Sequence, residues 1–119
     1  SYTAQDTARV NRLNELCNAA PRLSNEDLEK YGNEALELSR RLDYPRGEGF
    51  ALLTQARLQA SKNQVDSAEN LILQAERIAK ETNDELLLVW VYYRLSGFKQ
   101  REDIRESARL LTKAEEIAT

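Results

Sequence analysis

Histidine is absent from the 119 residues, and Cys17 is the single cysteine. Without histidine the chain has no Ser-His-Asp or Cys-His pair, no histidine general base and no histidine metal site. One thiol forms no internal disulfide and builds no multi-cysteine zinc site. Four glycines and two prolines leave little turn chemistry, and no Asn-x-Ser/Thr site occurs. No apolar run approaches the roughly 18 residues that cross a bilayer. The longest, 86–93, holds eight residues and follows Asp84 and Glu85. Residues 1–10 are polar and lack the apolar stretch of a secretory leader. Seventeen basic residues stand against 20 acidic ones, a net charge of −3 with the signs interspersed. That balance argues against nucleic acid as a partner.

What remains is a pattern. At this length a folded chain buries about two-thirds of the surface its unfolded form exposes, enough for one core and one domain spanning 1–119. Apolar residues recur at three and four, as in Val65, Ala68, Leu71, Ile72, Ala75, Ile78 and Ala79. Asp66 with Glu69, Asp103 with Glu106, and Ser24 with Asp27 each read as a helix cap followed three residues later by an acid. Breaks fall at 21–23, 43–45, 62–63, 83–84 and 99–102. The pattern predicts six helices, about 4–20, 24–42, 46–61, 66–82, 85–98 and 103–118, joined by short loops. The run 86–93 is rich in strand-favouring residues. It is read as helix, because a buried strand here would have no partner strand and packing overrides weak propensity.

Self-similarity supports an array. Glu34-Ala35-Leu36-Glu37-Leu38-Ser39 returns as Gln74-Ala75-Glu76-Arg77-Ile78-Ala79 and as Lys113-Ala114-Glu115-Glu116-Ile117-Ala118, at spacings of 40 and 39. In the following helices Phe50, Leu52, Leu53 and Ala56 share offsets with Trp90, Tyr92, Tyr93 and Ser96; Leu13 matches Leu52, and Cys17 matches Ala56. A small residue at a fixed place in each repeat lets the neighbouring helix come close.

On these residues the chain resembles the tetratricopeptide repeat family over essentially its whole length, in repeats of about 4–42, 45–82 and 84–118. The resemblance implies an all-α, right-handed superhelical array of three antiparallel helix pairs. Its repeat is longer than the family's ~34 residues, as if each helix gained about a turn. Leu13-Asn14-Glu15-Leu16-Cys17, Asn33 to Ser39 and Arg41-Leu42-Asp43-Tyr44 resemble the opening repeats of sensor regions in bacterial signalling proteins, notably two-component histidine kinases. Leu53-Thr54-Gln55-Ala56-Arg57-Leu58-Gln59-Ala60 also resembles the helical arrays of maltose-regulator-type transcriptional activators. Two positions depart from the family pattern: Gln55 replaces a large apolar residue, and Asn63 replaces the turn glycine.

Catalytic chemistry finds no foothold. The acid pairs Glu26/Asp27, Asp84/Glu85 and Glu115/Glu116 sit near helix ends or on charged faces, where they balance helix dipoles. Gly47-Glu48-Gly49 lacks the further glycines of a phosphate loop and is read as a close contact at a helix start. Cys17 is read as a small packing residue and the scattered arginines as a solvated face. No enzyme, cofactor or metal is expected.

In such an array the first helices of successive pairs line a concave groove. Counting from Leu13, Leu52 and Tyr92, the groove residues are Asn14, Asn18, Leu53, Thr54, Arg57, Tyr93 and Arg94. They suit an extended peptide or a helix held by hydrogen bonds and an aromatic anchor. The competing placement for Leu53 and Tyr93 is between helices. The lysines of a carboxylate clamp are missing, so chaperone tails are not expected partners. The last stripe, Ala108, Leu111, Ala114, Ile117 and Ala118, lacks a polar outer face. The chain is therefore expected to be part of a longer protein, or to form a homo-oligomer through its last helix. The expected function is a protein- or peptide-binding module of a bacterial signalling protein. The alternatives are a structural or self-association segment and an activator's helical array. The compartment stays open between cytoplasm, the first choice, and periplasm, where a sensor region would sit.

Overall fold

The computed structural model describes residues 4–19, 23–99 and 104–118. It is all-α: α1 (Ala4–Ala19), α2 (Asn25–Arg41), α3 (Pro45–Ser61), α4 (Val65–Thr82), α5 (Glu85–Lys99) and α6 (Ile104–Ala118). Every boundary lies within one residue of the sequence reading, and the run 86–93 is helical. No strand occurs among the described residues.

Three connections share one design. Asp43, Asn63 and Asn83 adopt left-handed backbone with φ of 52°, 63° and 55°. Each donates its N–H three residues back, to the carbonyls of Arg40, Ala60 and Lys80. The next residues, Tyr44, Gln64 and Asp84, donate five residues back to Ser39, Gln59 and Ala79 at 2.8, 2.9 and 2.9 Å. This is the paired closure that satisfies the last carbonyls of a helix. The carbonyls of Tyr44, Gln64 and Asp84 then accept the first bonds of the next helix, from Glu48, Ala68 and Leu88. Asparagine and aspartate tolerate this conformation better than other residues with side chains. Asn63 therefore makes its turn without a glycine.

Helix starts divide between expectation and correction. Ser24 caps α2, its Oγ accepting from Asp27 N–H at 3.1 Å. Asp66 is not a cap: α4 begins at Val65 behind Gln64, which makes no side-chain capping bond, so Asp66 lies in the first turn. Asp103 falls outside the described residues.

Consecutive helices pack together, and α3 also touches both α1 and α5, whereas α2, α4 and α6 do not touch one another. The odd-numbered helices therefore form a continuous row and the even-numbered ones a spaced row behind it. Overall extents of 47 × 31 × 21 Å give a body about two helix diameters thick. The repeat positions are buried in register: Leu13, Leu52 and Tyr92, then Cys17, Ala56 and Ser96, then Ala35, Ala75 and Ala114. The apolar stripe of α6 is rotated from the sequence reading. Ser107, Leu110 and Ala114 are buried, Leu111 and Ile117 are half-buried, and Ala108 is exposed.

Glycine makes the odd row possible. Gly47 and Gly49 lie two apart on α3 and so face different neighbours. A Cβ on Gly47 would stand 2.5 Å from Val10 Cγ1 of α1, and one on Gly49 would overlap the fully buried Leu87 of α5. Gly97 has open space around its Cα. Gly49→Ala is therefore expected to destabilise by about 1–3 kcal/mol through overpacking. Gly97→Ala is expected to stabilise by about 0.5–1 kcal/mol through helix propensity. Urea denaturation of the two variants checks the opposite signs.

Candidate functional site

The row of α1, α3 and α5 carries two adjacent hollows. The first, of 410 Å³, has Asn11, Asn14 and Asn18 on one wall and Leu86 and Trp90 on the other, with Phe50 between. The second, of 390 Å³, is walled by Leu53, Arg57, Tyr93, Arg94 and Gly97 and reaches Ile72 of α4. Both volumes fall in the range of small-ligand or side-chain pockets. Arg46, Phe50, Leu53 and Arg57 recur one repeat later as Leu86, Trp90, Tyr93 and Gly97, each 40 residues on. One helical face thus supplies both walls.

Of the seven residues singled out by sequence, six line these hollows, five of them with their polar or aromatic groups and Leu53 from the core. Asn14 is buried; its Nδ2 donates to the Gly47 carbonyl at 3.1 Å, while its Oδ1 has no partner. Asn18 lines the first hollow, and its Oδ1 lies 3.5 Å from the Arg94 guanidinium, at the outer limit of a hydrogen bond. Arg57 donates to the carbonyl of Cys17 in the last turn of α1, where a cation opposes the helix dipole. Tyr93 is 44% exposed, its ring 6.3 Å from that of Trp90. Arg94 lies 5.7 Å over the Trp90 ring, and its buried Nε has no hydrogen-bond partner.

Two residues lie deeper than expected. Leu53 is 1% exposed and belongs to the core, touching the second hollow from below. Thr54 is fully buried and lines neither hollow, a correction to its assignment. Its methyl faces Gly32 of α2, and its hydroxyl donates to the Phe50 carbonyl at 3.4 Å. Adjacent residues on a helix diverge, so Leu53 and Thr54 cannot share one face. Sequence reasoning missed Asn11, Arg46, Phe50, Leu86 and Trp90. Helical spacing joins Arg46 and Phe50 to Leu53 and Arg57 on one face, and the 39- and 40-residue offsets then lead from Phe50 to Asn11 and Trp90 and from Arg46 to Leu86.

Charge at the site is one-sided. Most of the surface arginines are paired: Arg9 with Glu34, Arg40 with Glu48, Arg41 with Glu37, Arg46 with Asp84 and Arg109 with Glu106. Among the described residues, no carboxylate pairs with Arg57 or Arg94. Burial and the neighbouring Arg57 charge both hold the Arg94 guanidinium below its ordinary pKa. The second hollow contains no acid, whereas the first contains Glu15. No group of three His, Cys, Asp or Glu among the described residues could hold a metal ion. No helix among them is long and apolar enough to cross a membrane.

The rim is fixed by Asp84. Its Oδ1 caps α5 by accepting from Leu87 N–H at 3.1 Å, and both oxygens accept from Arg46 at 3.0 and 2.7 Å. Burial works against ionisation, but the hydrogen bonds from Arg46 and the backbone outweigh it and hold the carboxyl below its ordinary range. Comparison with protein-family models, curated proteins and solved structures finds no match for this chain.

Two outcomes follow from these groups. A depressed carboxyl pKa adds stability above the unfolded value and loses it as pH falls through the folded value. Asp84→Asn keeps the cap, and the partner Arg46 is half exposed, so the loss at neutral pH is about 0.5–1 kcal/mol. That difference is expected to vanish below the carboxylate range in acid-titrated thermal melts. Cys17 is fully buried, which pushes its thiol pKa up despite the hydrogen bond to Thr54 and the Arg57 charge. Thiol-reactive dye is expected to label it only as denaturant unfolds the chain.

Proposed function

We propose that this chain is a non-catalytic, tetratricopeptide-like module that docks a protein or peptide on its odd-helix face, as the input part of a bacterial signalling or regulatory protein. The observation that carries the reading is the pair of adjacent hollows spanning α1, α3 and α5, with Trp90 and Tyr93 at their border. Aromatic side chains beside unsatisfied polar atoms are the composition of a recognition surface. Asn14 Oδ1 and Arg94 Nε are two such atoms, each carrying a desolvation penalty beside the hollows.

Further support comes from the packing order. Contact between odd helices without contact between even ones makes the odd side the shorter path, which is the concave side of a helix-pair array. The right-handed superhelix and the family membership belong to this proposal. So does the absence of catalysis, supported by the lack of histidine and of carboxylates gathered in either hollow.

Trp90 is the only tryptophan, so its emission reports directly on the face. Peptides selected from a displayed random library are expected to shift Trp90 fluorescence on titration. Tyr93→Ser is expected to weaken them about tenfold while helicity is unchanged. Selected peptides that leave the emission unmoved and bind Tyr93→Ser normally would reject this face.

A further inference from the structure

We infer that the face selects an acidic segment of its partner: an aspartate or glutamate side chain enters the second hollow against Arg57 and Arg94, and a neighbouring apolar side chain enters the first hollow against Phe50 and Trp90. This rests on the docking reading above and adds the chemistry of the occupant.

Arg57 and Arg94 both keep unused donors. A guanidinium carries five N–H donors and accepts nothing. Arg94 places one contact, 3.5 Å long, on Asn18, and its buried Nε donates to nothing. Arg57 donates once, to the Cys17 carbonyl. Two cations close enough to depress the Arg94 pKa therefore share a hollow with no anion, in a chain whose acids outnumber its bases by 20 to 17. A buried cation without a counter-charge destabilises its own fold. A planar carboxylate matches the guanidinium fork and uses two donors at once.

The first hollow sets the orientation. It holds Glu15, which repels an acid, and the apolar edges of Leu86, Phe50 and Trp90, which accept an apolar side chain. The two hollows meet at Asn18, Arg94 and Trp90: Asn18 and Trp90 line the first, Arg94 lines the second, and Arg94 contacts both. An acid and an apolar residue close together on one segment reach both at once. Because the apolar subsite adjoins the charged one, the carboxylate comes from a side chain flanked by further residues, with no requirement for a chain terminus.

The test uses two pools of degenerate ten-residue peptides, acetylated and amidated so that no terminal carboxylate remains. Every peptide carries one fixed leucine; at one flanking position the first pool has glutamate and the second glutamine. Binding is read from Trp90 emission. The glutamate pool is expected to half-saturate at about tenfold lower concentration, an advantage that shrinks in about 1 M salt. Arg94→Gln is expected to abolish the advantage and Arg94→Lys to keep part of it. Arg94→Gln is also expected to raise the thermal midpoint, because it removes a half-buried cation that no carboxylate pairs; a lowered midpoint would mean that Arg94 is a structural group and would overturn the inference. Equal half-saturation by the two pools overturns the acidic assignment and leaves the docking reading standing. No Trp90 response to either pool, together with a library that yields no groove-binding peptide, overturns both.

Discussion

The left-handed residues Asp43, Asn63 and Asn83, 20 residues apart, set the geometry on which the other contacts depend. Each closes one helix with paired backbone hydrogen bonds and hands the chain to the next helix within a residue or two. The side chains of asparagine and aspartate hold the strained conformation at less entropic cost than glycine, which must lose more freedom on folding. With the connection repeated in kind and the helices of similar length, each helix returns along its predecessor. Large and small residues then fall opposite one another at a fixed offset. The buried series Leu13, Leu52, Tyr92 and Cys17, Ala56, Ser96 is the packing consequence.

A second constraint brings the odd helices together. Helix α3 must approach α1 and α5 on opposite sides near its start, and Gly47 and Gly49 remove the side chains that would hold them apart. The Asp84 carboxylate then caps α5 and binds Arg46 of α3, locking the same corner electrostatically. Asn14 adds a link from α1 to the bare Gly47 carbonyl.

Against that well-satisfied background Arg94 stands apart. Arg9, Arg40, Arg41 and Arg46 reach carboxylates, yet this guanidinium lies against Trp90 beside another cation. Stability alone would replace it with an apolar residue of similar volume. The arginines give this face its charge and the rings of Trp90 and Tyr93 give it apolar area.

The sequence by itself determined the six helices, their ends to within a residue, and the small-residue positions where they meet. These follow from local rules: a period of 3.6, a cap such as Ser24, and turn residues that accept left-handed backbone. Part of the site was legible too, because Asn14, Asn18, Arg57, Tyr93 and Arg94 follow from helical counting. What counting could not supply is depth and partnership. Leu53 and Thr54 differ by one position, yet one touches the hollow and the other packs against Gly32 of α2. Asp66 and Asp84 both follow a helix break, yet Asp84 alone precedes its helix and meets an arginine from α3. Whether a cation is paired depends on which side chains three different helices bring within a few ångströms. That separation spans 76 residues for Asn18 and Arg94, and only the tertiary structure decides it.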